Sequence, residues 1–339
     1  MFYKKLIKIY FNGILTFNTY IYKMGIKKLN SYLMSNCTHD AITRVPLSHF
    51  KGKTLAIDTS IYLYKYLSEN TFLESFYTML SIFRQYNITP TFVFDGKPPV
   101  EKNDVIWERY YKRKDAEAKY AEILEDLDSK ELTPEERQKG MEKLTGLKRQ
   151  FVRITEDNLL HLKQLFANFG VKYVEAETEA DVVCAQLVKT GKAYACVSDD
   201  MDMFAYDCPI VLRKLNLFHH NCVMYYGPQI KKELDIDEIQ PVLILCGTDY
   251  NTGVSWDICT AIERYQFYEK EYERKQTTLD FYAWLLERRF IDETQKEKID
   301  HVYKMFQIPK DLTVNYTIRS KDWTILQPVL EKEGFLFAE

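Results

Sequence analysis

Seven acidic side chains follow apolar runs that should form strands, and they are the clearest chemical signal in the chain. They lie in the segments LAIDTSIYLY, TFVFDGKPP, EAETEADVVCAQLV with VSDDMDMF, and LILCGTDY. The residues are Asp58, Asp95, Glu179, Asp181, Asp200, Asp202 and Asp249. Because open α/β folds build their sites at the carboxyl edge of the sheet, we expect these side chains to meet there.

Seven carboxylates in one place require compensating cations. Two charges roughly 4 Å apart repel by about 4 kcal/mol at an effective dielectric of about 20. Carboxylate oxygens are hard ligands that suit Mg²⁺, for which Mn²⁺ can substitute. The cluster therefore predicts a phosphodiesterase with two divalent ions, in which a metal rather than a histidine activates water.

The overall composition neither supports nor excludes a nucleic-acid partner. The 339 residues carry a net charge of −3, and without the seven acids the rest of the chain would carry +4. Local patches must therefore decide the question. The seven cysteines are scattered and show no CxxC spacing, which predicts free thiols in a reducing, intracellular compartment.

The order of the predicted elements divides the chain into parts. Residues 24–101 and 151–265 alternate strands with helices, which predicts an α/β fold with a central, mainly parallel sheet flanked by helices. Residues 102–150 are densely charged and have helical spacing, and TPEERQ marks a helix start at Thr133. Residues 266–339 are predicted to form a helical region packed on the α/β part.

Basic residues cluster at the start of the charged helical stretch. Lys102, Arg109, Lys112, Arg113 and Lys114 begin only a few residues after the DGKPP segment. Cations immediately beside an acidic cluster predict an arch that grips phosphate groups. The alternative is that the mixed charges of residues 102–150 merely form the solvated face of a helical region.

The segments MGIKKL, LAIDTSIYLY, FVFDGKPP, ETEADVVCAQLVKTGKAYACVSDDMD and CGTDY, in this order, resemble the flap endonuclease family of structure-specific 5′ nucleases. The resemblance covers Met24 to about Tyr250. It implies a PIN-like 5′ nuclease fold with a helical arch over the active site. It also implies a monomer without stable membrane association that acts on flapped or branched DNA in replication, repair or recombination. The setting would be the nucleus or a cytoplasmic viral factory.

The resemblance assigns roles to individual residues. It makes the seven acids the ligands of two Mg²⁺ ions, and it places Lys102 and Arg109 on the scissile phosphate as catalytic residues. Tyr64 matches an aromatic position on which a DNA base stacks. Lys112 and Arg113 are expected to contact DNA from the arch.

The family's chains begin with MGI, and this suggests how the present chain starts. The resemblance implies that Gly25 becomes the amino-terminal residue and lies close to the DNA at the active site. A preceding segment would be awkward there. Residues 1–23 are therefore predicted to be an extension of doubtful authenticity, and they are too short and interrupted for a membrane span.

Two segments depart from the family pattern. After Asp249 the family has a glycine-rich helix–hairpin–helix turn with a monovalent ion, whereas this chain has NTGVSWDICTAIERY and keeps only Gly253. QTTLDFY, at residues 276–282, is similar to a sliding-clamp-binding motif, but its aromatic pair comes one residue early and the segment is predicted to be helical. The segment makes a sliding clamp a candidate partner.

Several alternatives to a flap endonuclease remain open at the level of sequence. A 5′–3′ exonuclease and a junction or bubble nuclease of the same superfamily would share the fold and the metals. A catalytically inactive DNA-binding scaffold would normally lose several of the acids, and all seven are present. A ribonuclease of the related PIN type would normally be shorter and lack a long arch.

Overall fold

The structure is a computed structural model that describes residues 26, 28–129, 133–250, 253–309, 313–317, 327–328 and 330–331. The predicted extension at residues 1–23 and the predicted DNA contact Gly25 lie outside these described residues.

A mixed sheet forms the centre of the described part. Its strands are β1 (Ile42–Pro46), β2 (Thr54–Asp58), β3 (Thr89–Phe94), β4 (Lys172–Glu175), β5 (Ala195–Val197), β6 (Ile210–Asn216), β7 (Asn221–Tyr226) and β8 (Tyr316–Thr317). Their order across the sheet is β1-β7-β6-β5-β2-β3-β4-β8. The strands from β6 to β4 run parallel, while β1, β7 and β8 pair antiparallel. The predicted central, mainly parallel sheet is confirmed.

Helices cover both faces of this sheet. They are α1 (Leu29–Asn36), α2 (Thr59–Ser68), α3 (Phe72–Gln85), α4 (Asn103–Ser129), α5 (Pro134–Lys148), α6 (Glu156–Phe169), α7 (Ala180–Lys189), α8 (Gly227–Glu233), α9 (Gln240–Cys246), α10 (Ile258–Glu273), α11 (Phe281–Glu287) and α12 (Glu293–Met305). In the part of the chain described, none of them is long and apolar enough to cross a membrane.

Alternation along the central strands creates two hydrophobic cores. In β2, Leu55 and Ile57 pack with α2, α3 and α6, whereas Ala56 between them packs on the opposite side with α7 and with α9 to α12. Successive side chains of a strand point to opposite faces, so a strand that is buried on both faces reads as one apolar run. This double burial holds the central strand ends in place.

Helices α4 and α5 pack against each other and account for the predicted arch at 102–150. Thr133 caps α5 through a capping box with Glu136, and Pro134 occupies the first helical turn, as the TPEERQ segment predicts. The two helices bury few side chains, namely Ala116, Leu127 and Leu144. They therefore expose most of their surface to solvent.

The prediction of a strand that ends at Asp249 is wrong, because PVLILC forms helix α9. Pro241 lies in its first turn, and every residue of the helix is buried. A run of this length that is apolar on all sides does not distinguish a buried strand from a buried helix. Packing against α10 and α12 selects the helix.

The helix predicted through QTTLDFY is also only partly correct. Residues 276–280 connect α10 to α11, and Asp280 caps α11 by accepting a hydrogen bond from the amide of Ala283 at 2.9 Å. An aspartate at this position favours a helix start over a continuing helix. Phe281 and Tyr282, the aromatic pair of the proposed clamp motif, are buried in the core.

Continuous structure joins the C-terminal region to the α/β part. Helix α10 runs across the boundary predicted after residue 265, and β8 adds an antiparallel strand to β4 at the edge of the sheet. The seven cysteines are all free thiols, and five of them are buried.

Candidate active site

Three of the seven acids lie where three adjacent parallel strands end. Asp58 is the last residue of β2, Asp95 follows β3 directly, and Asp200 follows β5 by three residues. Because β5, β2 and β3 are neighbours, their carboxyl ends bring these side chains to one edge of the sheet. The strand-end prediction is confirmed for these three residues.

The other four acids reach the same edge from helical segments. Glu179 occupies the N-cap position of α7 without a capping hydrogen bond from its side chain, and Asp181 lies in the first turn of that helix. Asp202 lies in a short 3₁₀ turn after β5. Asp249 follows α9. Asp181 faces the charges of Asp58 and Asp200, and Asp202 faces those of Asp200 and Asp249, so the helical and strand acids form one cluster.

Hydrogen bonds orient the two strand-end carboxylates. Asp58 accepts from the amide of Ser60 at 3.2 Å and from the Ser198 hydroxyl at 3.1 Å. Asp95 accepts from the Ser60 hydroxyl and from the amide of Ala180 at 2.8 Å. The second contact places a carboxylate on the amino-terminal end of α7, where the free amides favour negative charge.

A close backbone approach fixes the loop after β3. The amide of Gly96 donates to the carbonyl oxygen of Thr178 at 2.6 Å. A Cβ atom at Gly96 would lie 2.1 Å from the carbonyl oxygen of Ala176 and 2.5 Å from that of Glu177. Only glycine fits here, and it holds Asp95 beside the start of α7.

The innermost acids carry charge that the surrounding protein does not fully balance. Asp181 Oδ1 and Asp202 Oδ1 are buried and have no hydrogen-bond partner among the described residues. Burial, followed by the neighbouring carboxylates, raises the pKa of Asp58, Asp181 and Asp202 well above its usual range. Burial also raises the pKa of Asp200. Uncompensated negative charge at this position attracts a cation.

Two cations from the arch side reach the cluster. The Lys102 ammonium group, in the 3₁₀ turn before α4, pairs with Glu179 and lies 3.7 Å from Asp249. Arg109 of α4 donates to Asp249 Oδ2 at 2.7 Å. Burial alone would lower the pKa of Lys102, but Glu179 and the other acids raise it above its usual value, so the lysine stays charged.

The donor set suits a hard divalent cation. It consists of carboxylates, of which two present buried oxygens without partners. In the residues that the structure describes, however, no three Asp, Glu, His or Cys side chains are arranged so that they could already hold a metal ion. Glu179 and Asp249 are instead paired with Lys102 and Arg109.

Models of known protein families match the segments that contain the seven acids. The model of the XPG N-terminal domain matches residues 24–116, and the model of the XPG I-region matches residues 170–249. The two matches together span just over half of the chain and contain all seven acids. The chain belongs to the XPG and flap endonuclease family.

Relatives of known identity come from several yeasts. Flap endonuclease 1 of Saccharomyces cerevisiae is 32% identical over 253 residues, which are 70% of this chain and 59% of that protein. Flap endonuclease 1 of Eremothecium gossypii is 32% identical over 265 residues, 71% of this chain and 63% of that protein. The chain thus spans about three fifths of the length of these relatives.

Solved structures share the fold. The catalytic core of Rad2 in complex with DNA substrate has a TM-score of 0.62 at 19% identity, over 92% of this chain and 96% of that chain. Human GEN1 in complex with Holliday junction DNA has a TM-score of 0.56 at 20% identity, over 92% of this chain and 74% of that chain. Flap endonuclease-1 from Methanococcus jannaschii has a TM-score of 0.55 at 20% identity, over 87% and 91%.

The predicted DNA contacts of this family member lie on α2 and α4. Tyr64 of α2 exposes 43% of its surface and is not part of the core. On α4, Lys112 pairs with Glu108, and Arg113 donates to the carbonyl oxygen of Arg109 at 3.3 Å. Tyr64 and Lys112 are exposed and accessible to a ligand, and Arg113 is partly exposed.

Several residues of the site were not identified from the sequence. Ser60 and Ser198 orient Asp58, and Tyr250 donates its hydroxyl hydrogen to Glu179 while its ring lies 5.0 Å from the Lys102 ammonium group. Ser60 and Tyr250 fall inside the family-like segments, so their position beside an acid was a usable signal. The hydroxyl of Tyr206 also reaches Glu179, at 3.4 Å, from a segment without such a motif.

Asp199, which precedes Asp200 in the chain, has a different environment from the seven acids. Asp199 accepts a hydrogen bond from the amide of Lys214 in β6 at 2.6 Å, so its carboxylate is bound to the backbone of the sheet.

The segment after Asp249 is described only in part, because residues 251–252 lie outside the described residues. The segment then continues through Trp256, whose amide donates to the carbonyl oxygen of Leu245 at 2.8 Å, into α10.

Proposed function

We propose that this protein is a structure-specific DNA nuclease that hydrolyses phosphodiesters near single-strand/duplex junctions, such as 5′ flaps, in replication, repair or recombination. The observation that carries the proposal is the meeting of seven clustered acids with the arch cations Lys102 and Arg109. The yeast relatives named flap endonuclease 1, and the Rad2 and GEN1 complexes with DNA, support this substrate class. This chain spans only part of the yeast relatives, and we propose their activity for it.

We propose Mg²⁺ as the cofactor, bound as two ions by the seven carboxylates, with Mn²⁺ as a substitute. When bound, such ions supply an activated water and stabilise charge on the leaving oxygen. The buried and unpartnered oxygens of Asp181 and Asp202 support their role as ligands. Asp58 is held in place for the same purpose by Ser60 and Ser198.

The arch cations would exchange partners when DNA binds. Lys102 and Arg109 are paired with Glu179 and Asp249 in the protein alone. A phosphate group between the arch and the acids would compete for both cations, and their acids would become free to bind metal. Cations placed on a phosphate stabilise the charge that develops as its bond breaks, and one such donor is typically worth roughly 10²- to 10³-fold in rate.

Selectivity for junctions would follow from access to the cluster. The innermost acids are buried, so a phosphate inside an intact duplex does not reach them without opening of the adjacent base pair. Opening costs a few kcal/mol and is least expensive at a frayed or flapped end. The exposed ring of Tyr64 offers a stacking surface for the unpaired base.

DNA is the partner that the structure supports best. The aromatic pair of the clamp-like segment, Phe281 and Tyr282, is buried in the core, so we do not propose a sliding clamp through this segment. We propose a monomer that works in a reducing compartment containing a large DNA genome, either a nucleus or a viral factory. The free cysteines are consistent with that location.

A panel of end-labelled DNA substrates tests the proposal. The full chain and its Asp200→Ala variant are incubated with 5′-flap, gapped, nicked, Holliday-junction and blunt DNA, in Mg²⁺ or in EDTA. We expect release of an intact flap oligonucleotide that requires Mg²⁺ and is lost in the variant. Stepwise release of mononucleotides would indicate an exonuclease, and symmetric nicks would indicate a junction-resolving enzyme. DNA binding without cleavage in Mg²⁺ and in Mn²⁺ would contradict nuclease activity.

A further inference from the structure

Helix α4 carries an exposed cluster of three aromatic side chains, which we call the aromatic triad: Trp107, Tyr110 and Tyr111. Their exposed fractions are 56%, 40% and 65%. The ring centroids of Trp107 lie 5.7 Å from those of Tyr110 and 6.2 Å from those of Tyr111, and the two tyrosine rings are 5.6 Å apart. The spacing i, i+3 and i+4 places all three rings on one face of the helix.

The triad differs in composition from the rest of α4. Among the residues of α4, only Ala116 and Leu127 are buried, and most of the rest are charged. Single exposed apolar residues are common, but a contiguous exposed aromatic patch indicates a binding surface. The three rings contact one another, and none of them is a buried core residue.

The charges around the triad identify the kind of ligand. Residues 107–114 contain four cations, Arg109, Lys112, Arg113 and Lys114, and a single acid, Glu108. Flat aromatic rings among cations fit a polyanion with planar groups, which is the chemistry of a single-stranded nucleic acid. Two of these cations are paired with acids on the same helix, Lys112 with Glu108 and Lys114 with Glu117, through exposed contacts that a phosphate can replace.

The position of the triad relates it to the acidic cluster. Arg109 lies between Trp107 and Tyr110 in sequence, and its guanidinium group contacts Asp249. Because side chains two positions apart on a helix do not face each other, Arg109 projects from the side of α4 opposite Trp107, so a strand that reaches Arg109 must cross α4 to meet the triad. The triad and the contact with Asp249 thus lie on the same turns of α4 but on different sides of the helix.

We infer that the aromatic triad is a stacking platform for the bases of the single-stranded arm of the substrate, on the side of the arch helix that faces away from the acidic cluster. This inference rests on the proposed function, because it identifies where the arm of a flapped DNA would bind. Stacking is tolerant of sequence, since every base has a flat face. The platform would thus hold an arm of any sequence while the cations contact its phosphates.

Binding measured without metal tests the inference separately from cleavage. The full chain, in EDTA, is titrated into a labelled single-stranded dT oligonucleotide and into an abasic oligonucleotide of the same length and charge. We expect the combined variant Trp107→Ala and Tyr111→Ala to bind the dT oligonucleotide about 5- to 100-fold more weakly, the range for the loss of a stacked base. Its affinity for the abasic oligonucleotide should be unchanged.

A matched control separates stacking from a general loss of aromatic surface. Tyr272 of α10 is 55% exposed and lies 5.9 Å from the ring of Tyr268, so Tyr272→Ala removes a similar side chain outside the arch. This control should bind both oligonucleotides as the unmodified chain does. Equal weakening for dT and abasic DNA, or no weakening in the triad variant, would overturn the inference.

Cleavage provides a second comparison. We expect the triad variant to lower the rate on a long-armed flap relative to the rate on a nicked duplex without an arm, by about the same factor as the loss of dT binding at subsaturating enzyme. An unchanged ratio would overturn the inference. If the unmodified chain cleaves nothing but binds dT in a triad-dependent manner, the proposed function fails while the assignment of a single-strand binding surface stands.

Discussion

At the scale of single residues, the site is a set of acids whose repulsion is only partly relieved by the protein itself. Lys102 and Arg109 neutralise Glu179 and Asp249, at the side of the cluster that faces the arch. Asp202 lies further inside, buried and with one oxygen unpartnered. The outer acids are thus compensated by protein cations, whereas Asp202 has no such cation partner among the described residues that could offset its burial.

Neutralising an inner acid should stabilise the protein in the absence of metal. Burial and neighbouring acids raise the pKa of Asp202 in the folded state. The free energy of unfolding therefore falls as the pH rises from about 4, the ordinary pKa of an aspartate in the unfolded chain, through the raised pKa of the folded state. We expect Asp202→Asn, in EDTA at pH 7, to be more stable by about 1–3 kcal/mol, because the substitution removes a buried charge and keeps the shape of the side chain. The gain should be absent below about pH 4, where the acid is protonated in both states.

Chemical denaturation of both proteins across pH 4 to 8 measures this difference. A parallel series with saturating Mg²⁺ provides the control, because an ion bound by the acids should remove the advantage of the variant. A variant that is less stable than the unmodified chain at pH 7 in EDTA would contradict the electrostatic account.

Removing the partly buried Lys102 should lower the rate of catalysis more than the affinity for DNA. Lys102→Ala deletes the cation that contacts Glu179 and Asp249, and we expect a fall of roughly 10²- to 10³-fold in the single-turnover rate with little change in DNA affinity. Lys119→Ala is the matched control, because this exposed lysine of α4 pairs with Asp115 one turn away. A loss for Lys102→Ala no greater than that of the control would contradict the role of Lys102 at the phosphate.

At the scale of elements, the site depends on how β3 meets α7. Asp95 leaves β3 and immediately accepts a hydrogen bond from the amide of Ala180, in the first turn of α7. Gly96 makes this possible, since it packs directly against the backbone of residues 176–177. The end of β3, the start of α7 and Gly96 are thus held against one another, and together they position Asp95 relative to Glu179.

A single methyl group should disturb this unit. Gly96→Ala would place a Cβ atom 2.1 Å from the Ala176 carbonyl oxygen, and the backbone must shift to accept it. We expect a loss of about 1–3 kcal/mol in the free energy of unfolding, typical of overpacking, with a larger loss of cleavage than of DNA binding. Denaturation and single-turnover cleavage measure the two effects.

A second glycine on α5 supplies the control. A Cβ atom at Gly146 would meet nothing within 4 Å, and the residue lies inside a helix. Gly146→Ala should therefore be neutral or stabilising by roughly 0.5–1 kcal/mol, as expected for alanine in place of glycine in a helix. Equal effects of the two substitutions would show that the close approach at Gly96 has no special role.

At the scale of the whole molecule, patterns within a few residues of sequence predicted more of the structure than could be predicted for contacts between distant residues. Strand-end acids such as Asp58 and Asp95, and the capped helix at Thr133, follow from patterns within a few residues. Helix α9 was predicted as a strand because a fully buried apolar run carries no periodicity. The contact of Arg109 with Asp249 joins residues 140 positions apart, and it could be expected only from the family resemblance.

The most direct test of the account is the single-turnover rate on one 5′-flap DNA as a function of Mg²⁺ concentration, for the full chain and for Asp200→Asn. We predict that cleavage rises with Mg²⁺ to saturation, stops in EDTA, and is lost in the variant while flap binding in EDTA is retained. Cleavage that continues in EDTA, or that survives the substitution at full rate, would contradict the claim that the seven acids form a metal-dependent phosphodiesterase centre.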